Sequence, residues 1–116
     1  MTQDITFDAG VGQTFLRYAS LVANRGYIHN TLCNMAIRVP SDGHPHGVTY
    51  TKPAGVSLEE MGMEDIVITD IPTADILVGS EMTSVGHNLN REILRLRPDA
   101  NAVIHVHDND TIGLFS

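Results

Sequence analysis

Apolar residues repeat with a helical period near the start of the chain. Across residues 12–25 they fall at positions i, i+1, i+4, i+7 and i+8, which are Phe15, Leu16, Ala19, Val22 and Ala23. Residues at this spacing gather on one face of an α-helix. Gly26 provides a C-terminal stop. The pattern predicts an amphipathic helix that packs against a core.

A β-hairpin is predicted next, because alternating apolar residues end the segment Tyr27–Val39 and β-formers return at Val48–Thr51. The intervening residues 41–47 are rich in turn-forming types, which predicts a long polar tip. This tip contains the sequence His44-Pro45-His46. We interpret these two histidines as solvent-exposed rather than as a metal site.

The second half of the chain alternates between strand and helix patterns. The predicted elements are a short helix at 56–61, strands at 66–70 and 76–78, a helix at 84–97 stopped by Pro98, and a strand at 102–107. Ser57 and Glu60 have the spacing of a capping box, which predicts the start of the short helix. Residues 1–116 are therefore predicted to form a single α/β (α+β) domain, with a mixed, mainly antiparallel central sheet flanked by helices.

Composition narrows the function classes. The formal net charge is −7 at pH 7, which argues against nucleic acid as a partner. No apolar run approaches the ~20 residues that span a bilayer, and the first residues lack a signal-peptide pattern. Cys33 is the single cysteine, so an internal disulfide is impossible. These features predict a cytoplasmic protein without a membrane partner.

The strand predicted at 102–107 carries two histidines, His105 and His107. Residues two apart on a strand point to the same face, ~6–7 Å apart at their bases. Two imidazoles at this spacing can converge on one divalent ion, with ligand distances of about 2.0–2.1 Å for zinc. The pattern therefore favours a metal site with His105 and His107 as ligands.

Several segments, taken in order, resemble the class II aldolase/adducin family. They are Cys33-Asn34-Met35-Ala36-Ile37-Arg38, Lys52-Pro53-Ala54-Gly55, Thr83-Ser84-Val85-Gly86, Arg97-Pro98-Asp99, and the strand that ends His105-Val106-His107. The resemblance covers almost the whole chain, and its last section is the most specific.

The resemblance implies a metal-dependent lyase that acts on a small hydroxy-carbonyl or sugar-derived substrate through an enolate. It implies that His105 and His107 bind a divalent metal, normally Zn²⁺, and that Asn34, Gly55 and Ser84 line a site for phosphate or another anion. It also implies a homotetramer. Because the family fold continues beyond this length, the resemblance implies a class II aldolase-like domain that is incomplete at its C-terminus.

The chain also departs from the family pattern. The acid/base glutamate of the family falls on Gly86, which cannot move a proton, and the family's third histidine ligand lies further downstream. The adjacent His87, titratable near neutrality, is a candidate replacement for the glutamate. A third ligand would come from a neighbouring subunit, His87 or Asp108. Decarboxylation, dehydration and epimerisation stay open as reactions. The alternative function is a non-catalytic, adducin-like binding or oligomerisation module, or an inactive fragment.

Overall fold

The computed structural model describes residues 6–24, 34–58, 60–73, 75–79, 82–83 and 86–105. Its elements are α1 (Ala9–Asn24), β1 (Asn34–Ser41), β2 (His44–Thr51), a 3-10 turn (Met63–Asp65), β3 (Val67–Asp70), β4 (Ile76–Val78), α2 (His87–Leu96) and β5 (Ala102–His105). Within these ranges, no helix has the length and apolar character needed to cross a membrane.

The five strands form one sheet in the order β4-β3-β2-β1-β5. All four pairings among the described strands are antiparallel, so the parallel component of the expected mixed sheet is not found in this part of the chain. β5 follows α2 and pairs with β1, so it is the edge strand opposite β4 in the described sheet. The predicted α+β class and central sheet are confirmed.

The two faces of the sheet have different partners. Phe15 and Ala19 of α1 pack in one apolar cluster with sheet residues that include Met35 and Tyr50. The next residue of β1, Ala36, packs instead with Leu94 of α2. Because successive strand residues point to opposite faces, the sheet lies between the two helices.

Arg38 fixes the C-terminal end of α2 against β1. Its guanidinium donates to the carbonyl oxygens of Leu94 and of Arg97, the latter at 3.0 Å, and to that of His46 at 3.1 Å. The last carbonyls of a helix lack partners within the helix. A charged donor from the sheet therefore satisfies them and holds the helix in place.

The predictions for the first helix and for the hairpin tip need correction. The helix predicted from residue 12 begins at Ala9, because Asp8 Oδ1 accepts hydrogen bonds from the backbone N–H groups of Gly10 (2.8 Å) and Val11 (3.2 Å) and caps it. The prediction of a long hairpin tip is wrong. The strands run to Ser41 and resume at His44, and the two-residue turn between them is possible because Gly43 has φ +81°.

The helix predicted at 56–61 is also wrong, since none of its described residues is helical. The Ser57 hydroxyl donates to Glu60 Oε1 at 2.8 Å rather than capping a helix. The chain instead forms the 3-10 turn two residues later. There the Gly62 N–H donates to Asp65 Oδ2 at 2.9 Å.

Candidate functional site

Several of the sequence-predicted site residues meet at one end of the sheet. Because neighbouring strands run in opposite directions, β1 and β3 begin at this end, while β2 and the described part of β5 end there. Asn34, the first residue of β1, is in register with His105. Cross-strand partners share a face of the sheet. Positions 34 and 105 therefore lie side by side, on the face that α2 covers.

The turn that contains Gly55 follows β2 at the same end. Gly55 has φ +81°, and a Cβ built there would meet no heavy atom within 4 Å, so the space beside it is open. Pro53 pairs with Thr83, and the Ala54 N–H donates to the Met82 carbonyl at 2.7 Å. The turn is thereby joined to the segment that leads toward α2. Ser84 itself lies outside the described residues.

Asn34 is held by a residue that the sequence reasoning missed. Its side-chain Oδ1 accepts a hydrogen bond from Asn90 Nδ2 of α2 at 2.5 Å. Both side chains are buried, with exposed fractions of 0% and 1%. A polar residue in the middle of an amphipathic helix was the signal that could have identified Asn90, since buried amides need partners.

Lys52 is a second residue that the sequence reasoning missed. It is fully buried, and its Nζ donates to the carbonyls of Val56 at 2.6 Å and Pro53 at 3.3 Å. These two carbonyls lie on either side of Gly55 in the chain. The ammonium therefore ties the turn to the end of β2. A lysine placed between a strand and a Pro-Ala-Gly turn was the available signal.

His87, the candidate replacement for the family glutamate, is buried beside two threonines of the sheet. Its Nε2 lies 3.0 Å from Thr69 Oγ1 and 3.4 Å from Thr49 Oγ1, and the side chain is 2% exposed. Burial, helped by the positive charge of Arg91, lowers its pKa to about 4. The imidazole is therefore neutral at pH 7. The expectation that it titrates near neutrality is wrong.

The position of His87 also separates it from the predicted metal ligands. Its threonine partners belong to β2 and β3, whereas His105 belongs to β5, on the far side of β1. Neighbouring strands are about 4.8 Å apart. The structure therefore places His87 two to three strands from the strand that carries the predicted ligands, and does not bring it beside them.

The metal site is only partly within the described residues. The backbone of His105 ends β5, while His107 and Asp108 lie outside the described ranges. Among the described residues, no group of three or more His, Cys, Asp or Glu side chains could hold an ion. The arrangement of His105 and His107 around one metal stays a prediction.

The other His-x-His sequence lies at the opposite end of the sheet, at the start of β2. A groove of about 870 Å³ is found there, lined by residues of the hairpin together with Pro98 and Asn101. His44 Nδ1 lies 2.9 Å from Asp70 Oδ1, which ties the hairpin to β3, and His46 is exposed. This geometry explains His44 as a structural contact.

Comparisons with known proteins agree on one family. Residues 13–115 match the model of the class II aldolase and adducin N-terminal domain. An L-fuculose phosphate aldolase of Methanococcus maripaludis is 30% identical over 93 residues, which make up 80% of this chain and 47% of that protein.

Solved structures share the fold. An L-fuculose 1-phosphate aldolase superposes with a TM-score of 0.74 at 21% identity, covering 89% of this chain and 46% of the other. The L-fuculose 1-phosphate aldolase from Glaciozyma antarctica PI12 also gives a TM-score of 0.74, at 19% identity, and covers 92% of this chain and 46% of the other. The chain thus spans about half the length of the relatives that it matches. Because the model of the class II aldolase and adducin N-terminal domain matches residues 13–115, and a relative at 30% identity is an L-fuculose phosphate aldolase, this chain belongs to the class II aldolase/adducin family.

Proposed function

We propose that this chain carries the metal- and substrate-binding part of a metal-dependent lyase of the class II aldolase type. Its substrate would be a small hydroxy-carbonyl or sugar-derived compound that bears a phosphate or another anionic group. The observation that carries the proposal is the meeting of four features at one end of the sheet. These are Asn34, the open turn at Gly55, the segment before α2, and position 105.

A divalent metal, most simply Zn²⁺, fits this end of the sheet on the chemistry of its residues. Position 105 lies in register with the buried amide of Asn34, and not with a residue of the two apolar clusters. His105 and His107 would hold the ion. When bound, it would supply a Lewis acid that polarises a substrate oxygen. Further ligands would come from outside the described residues, including a neighbouring copy in a homotetramer.

The chain's own residues would bind and orient the substrate. Asn34 would contribute a side-chain amide, and Gly55 would allow an oxyanion to approach the backbone closely because no side chain fills the space above it. Lys52 would keep that turn in shape through its two carbonyl contacts.

One observation favours the alternative, a non-catalytic adducin-like module. Gly86 immediately precedes α2 as its N-cap residue, with φ +91°, at the position where the family resemblance expects the acid/base glutamate. It has no group that can transfer a proton. The neighbouring His87 has a pKa of about 4 and is buried, so it does not replace that glutamate as a base near neutrality.

A cleavage assay separates the two functions. The zinc-loaded chain is incubated with a panel of hydroxy-carbonyl compounds, each with and without a phosphate group, and products are followed by NMR. We expect C–C cleavage of a phosphorylated member, and its loss in His107→Ala but not in His46→Ala, the exposed histidine of the hairpin. Binding of the panel without any product would identify the chain as the non-catalytic module.

A further inference from the structure

Three side chains that can take part in acyl transfer lie in a row at the hairpin end of the sheet. Ser41 ends β1 and is in register with His44, the first residue of β2. Cross-strand partners share a face of the sheet, with Cβ atoms about 5 Å apart. His44 Nδ1 lies 2.9 Å from Oδ1 of Asp70, the last residue of β3. A hydroxyl, an imidazole and a carboxylate therefore follow one another across three neighbouring strands.

The contact with Asp70 fixes the tautomer of His44. Burial opposes ionisation of the Asp70 carboxyl, but the hydrogen bonds from His44 and Thr73 outweigh it, and the pKa of Asp70 is lowered. An ionised carboxylate can only accept hydrogen bonds, so Nδ1 of His44 carries the proton. In the neutral imidazole the lone pair is then on Nε2, which has no hydrogen-bond partner within the described ranges. His44 can therefore accept a proton at Nε2.

The carboxylate is held in place, and the imidazole and the hydroxyl are accessible. Asp70 Oδ2 accepts from the backbone N–H of Thr73 at 3.0 Å and from its hydroxyl at 2.9 Å. The side chain of His44 is 18% exposed. Ser41 and His44 both line the groove of about 870 Å³, together with Gly43 of the turn between them. A small ligand in this groove would meet both residues.

We propose that Ser41, His44 and Asp70 form a second catalytic site, which hydrolyses small carboxylic esters in this groove. Ser41 Oγ attacks the ester carbonyl carbon while His44 Nε2 takes the hydroxyl proton. The bond to the leaving alcohol then breaks, and the alcohol departs with that proton. A water molecule attacks the acyl-serine by the same route, which releases the carboxylic acid and restores Ser41. Asp70 is a positioning residue, because it orients the imidazole without touching the ester.

This site lies at the opposite end of the sheet from the metal and anion sites of the proposed function, and it does not depend on them. The turn that joins β1 to β2 borders it, and backbone N–H groups of that turn would donate to the oxyanion of the tetrahedral intermediate.

Hydrolysis of p-nitrophenyl butyrate by the full chain, with EDTA present, tests the activity. We expect Ser41→Ala and His44→Ala each to lower the rate at least a hundredfold. Ser20→Ala removes an exposed serine of α1, and His46→Ala removes the exposed histidine of the same hairpin. Both controls should stay within twofold of the unaltered chain. No hydrolysis by the unaltered chain, or hydrolysis that survives Ser41→Ala, would overturn the proposal.

A fluorophosphonate probe, which bonds covalently to an activated serine, identifies the nucleophile without depending on how any variant folds. Mass spectrometry of the labelled, unaltered chain should find the probe on Ser41. A label on another serine, or none, would show that Ser41 is not activated.

Two variants of Asp70 test its positioning role. The amide of Asp70→Asn can donate to Nδ1 and so favour the tautomer that carries its proton on Nε2. We expect kcat to fall at least tenfold with KM within twofold, and Asp70→Glu, which still accepts from Nδ1, to recover part of kcat. If both variants hydrolyse the ester like the unaltered chain, Asp70 holds the hairpin only and the positioning role is wrong.

Discussion

Buried polar side chains surround the first turns of α2, and they are the residues whose roles were hardest to predict. His87 was singled out as a candidate acid/base group, yet it lies under the helix beside Thr49 and Thr69. Those partners are 38 and 18 positions away along the chain. Local spacing cannot reveal such a contact, because it depends on the way α2 crosses the sheet.

The depressed pKa of His87 predicts a pH dependence of stability. Because the pKa falls from 6.5 to about 4 on folding, the unfolded chain binds more protons between these values. Stability is then complete above pH 6.5 and declines as the pH falls toward 4. A shift of this size corresponds to about 3 kcal/mol. Urea unfolding of the wild type between pH 7 and pH 4.5 should show the loss.

His87→Gln keeps a donor near the two threonines but does not titrate. Its free energy of unfolding should therefore decline less steeply over the same pH range than that of the wild type. Equal slopes for the two proteins would mean that His87 is accessible to protons in the folded state.

Asn34 and Gly55 were predicted as site residues through the family resemblance, and the structure brings them to the same end of the sheet. Asn90 and Lys52 could not be assigned in the same way. Each acts by a hydrogen bond to a group of the site, and nothing in the spacing of residues shows that bond. Residues that would face the substrate could therefore be predicted from the sequence, whereas the residues that hold them in place could not.

At the scale of elements, the strands predicted at 66–70 and 76–78 agree with β3 and β4 to within one residue. Their apolar runs are short and bounded by turn formers, so local pattern suffices. The helix predicted at 56–61 failed because Ser57 bonds to the side chain of Glu60 instead of capping a helix. A capping box is a local signal, and here a competing local contact prevails.

Two glycines with the same backbone conformation should respond differently to substitution. Gly47 and Gly55 both have φ +81°, which costs an L residue roughly 1–2 kcal/mol. At Gly47 a Cβ would also lie 2.8 Å from the Val39 carbonyl oxygen, whereas at Gly55 it would meet nothing within 4 Å. We expect Gly55→Ala to lose about 1 kcal/mol and Gly47→Ala about 3 kcal/mol, because overpacking adds to the strain.

Urea unfolding of both variants checks this difference directly. Equal losses would show that the β1–β2 hairpin relaxes around Gly47 and that the close approach of Val39 is not a constraint. Gly55→Ala also tests the proposed anion site, because its methyl group would enter the open space in which the oxyanion is proposed to bind.

For the whole molecule, the α+β class and the family could be recognised from the order of segments, and the comparisons confirm both. The strand order could not, because β5 pairs with β1 across more than 60 residues of sequence, from Ala36 to Val103. That pairing places position 105 beside Asn34. It therefore creates the relation between the predicted metal ligands and the predicted anion site.

The central claim of the proposed function is that His105 and His107 bind a metal ion. A zinc titration of the untagged chain tests this claim most directly. The matched pair of variants is His105→Ala/His107→Ala and His44→Ala/His46→Ala, because each removes one His-x-His sequence from a strand. The account predicts that the wild type and the second variant bind Zn²⁺ equally by calorimetry, and that the first loses at least a hundredfold in affinity. Zinc binding that survives in the first variant, or disappears in the second, would contradict the account.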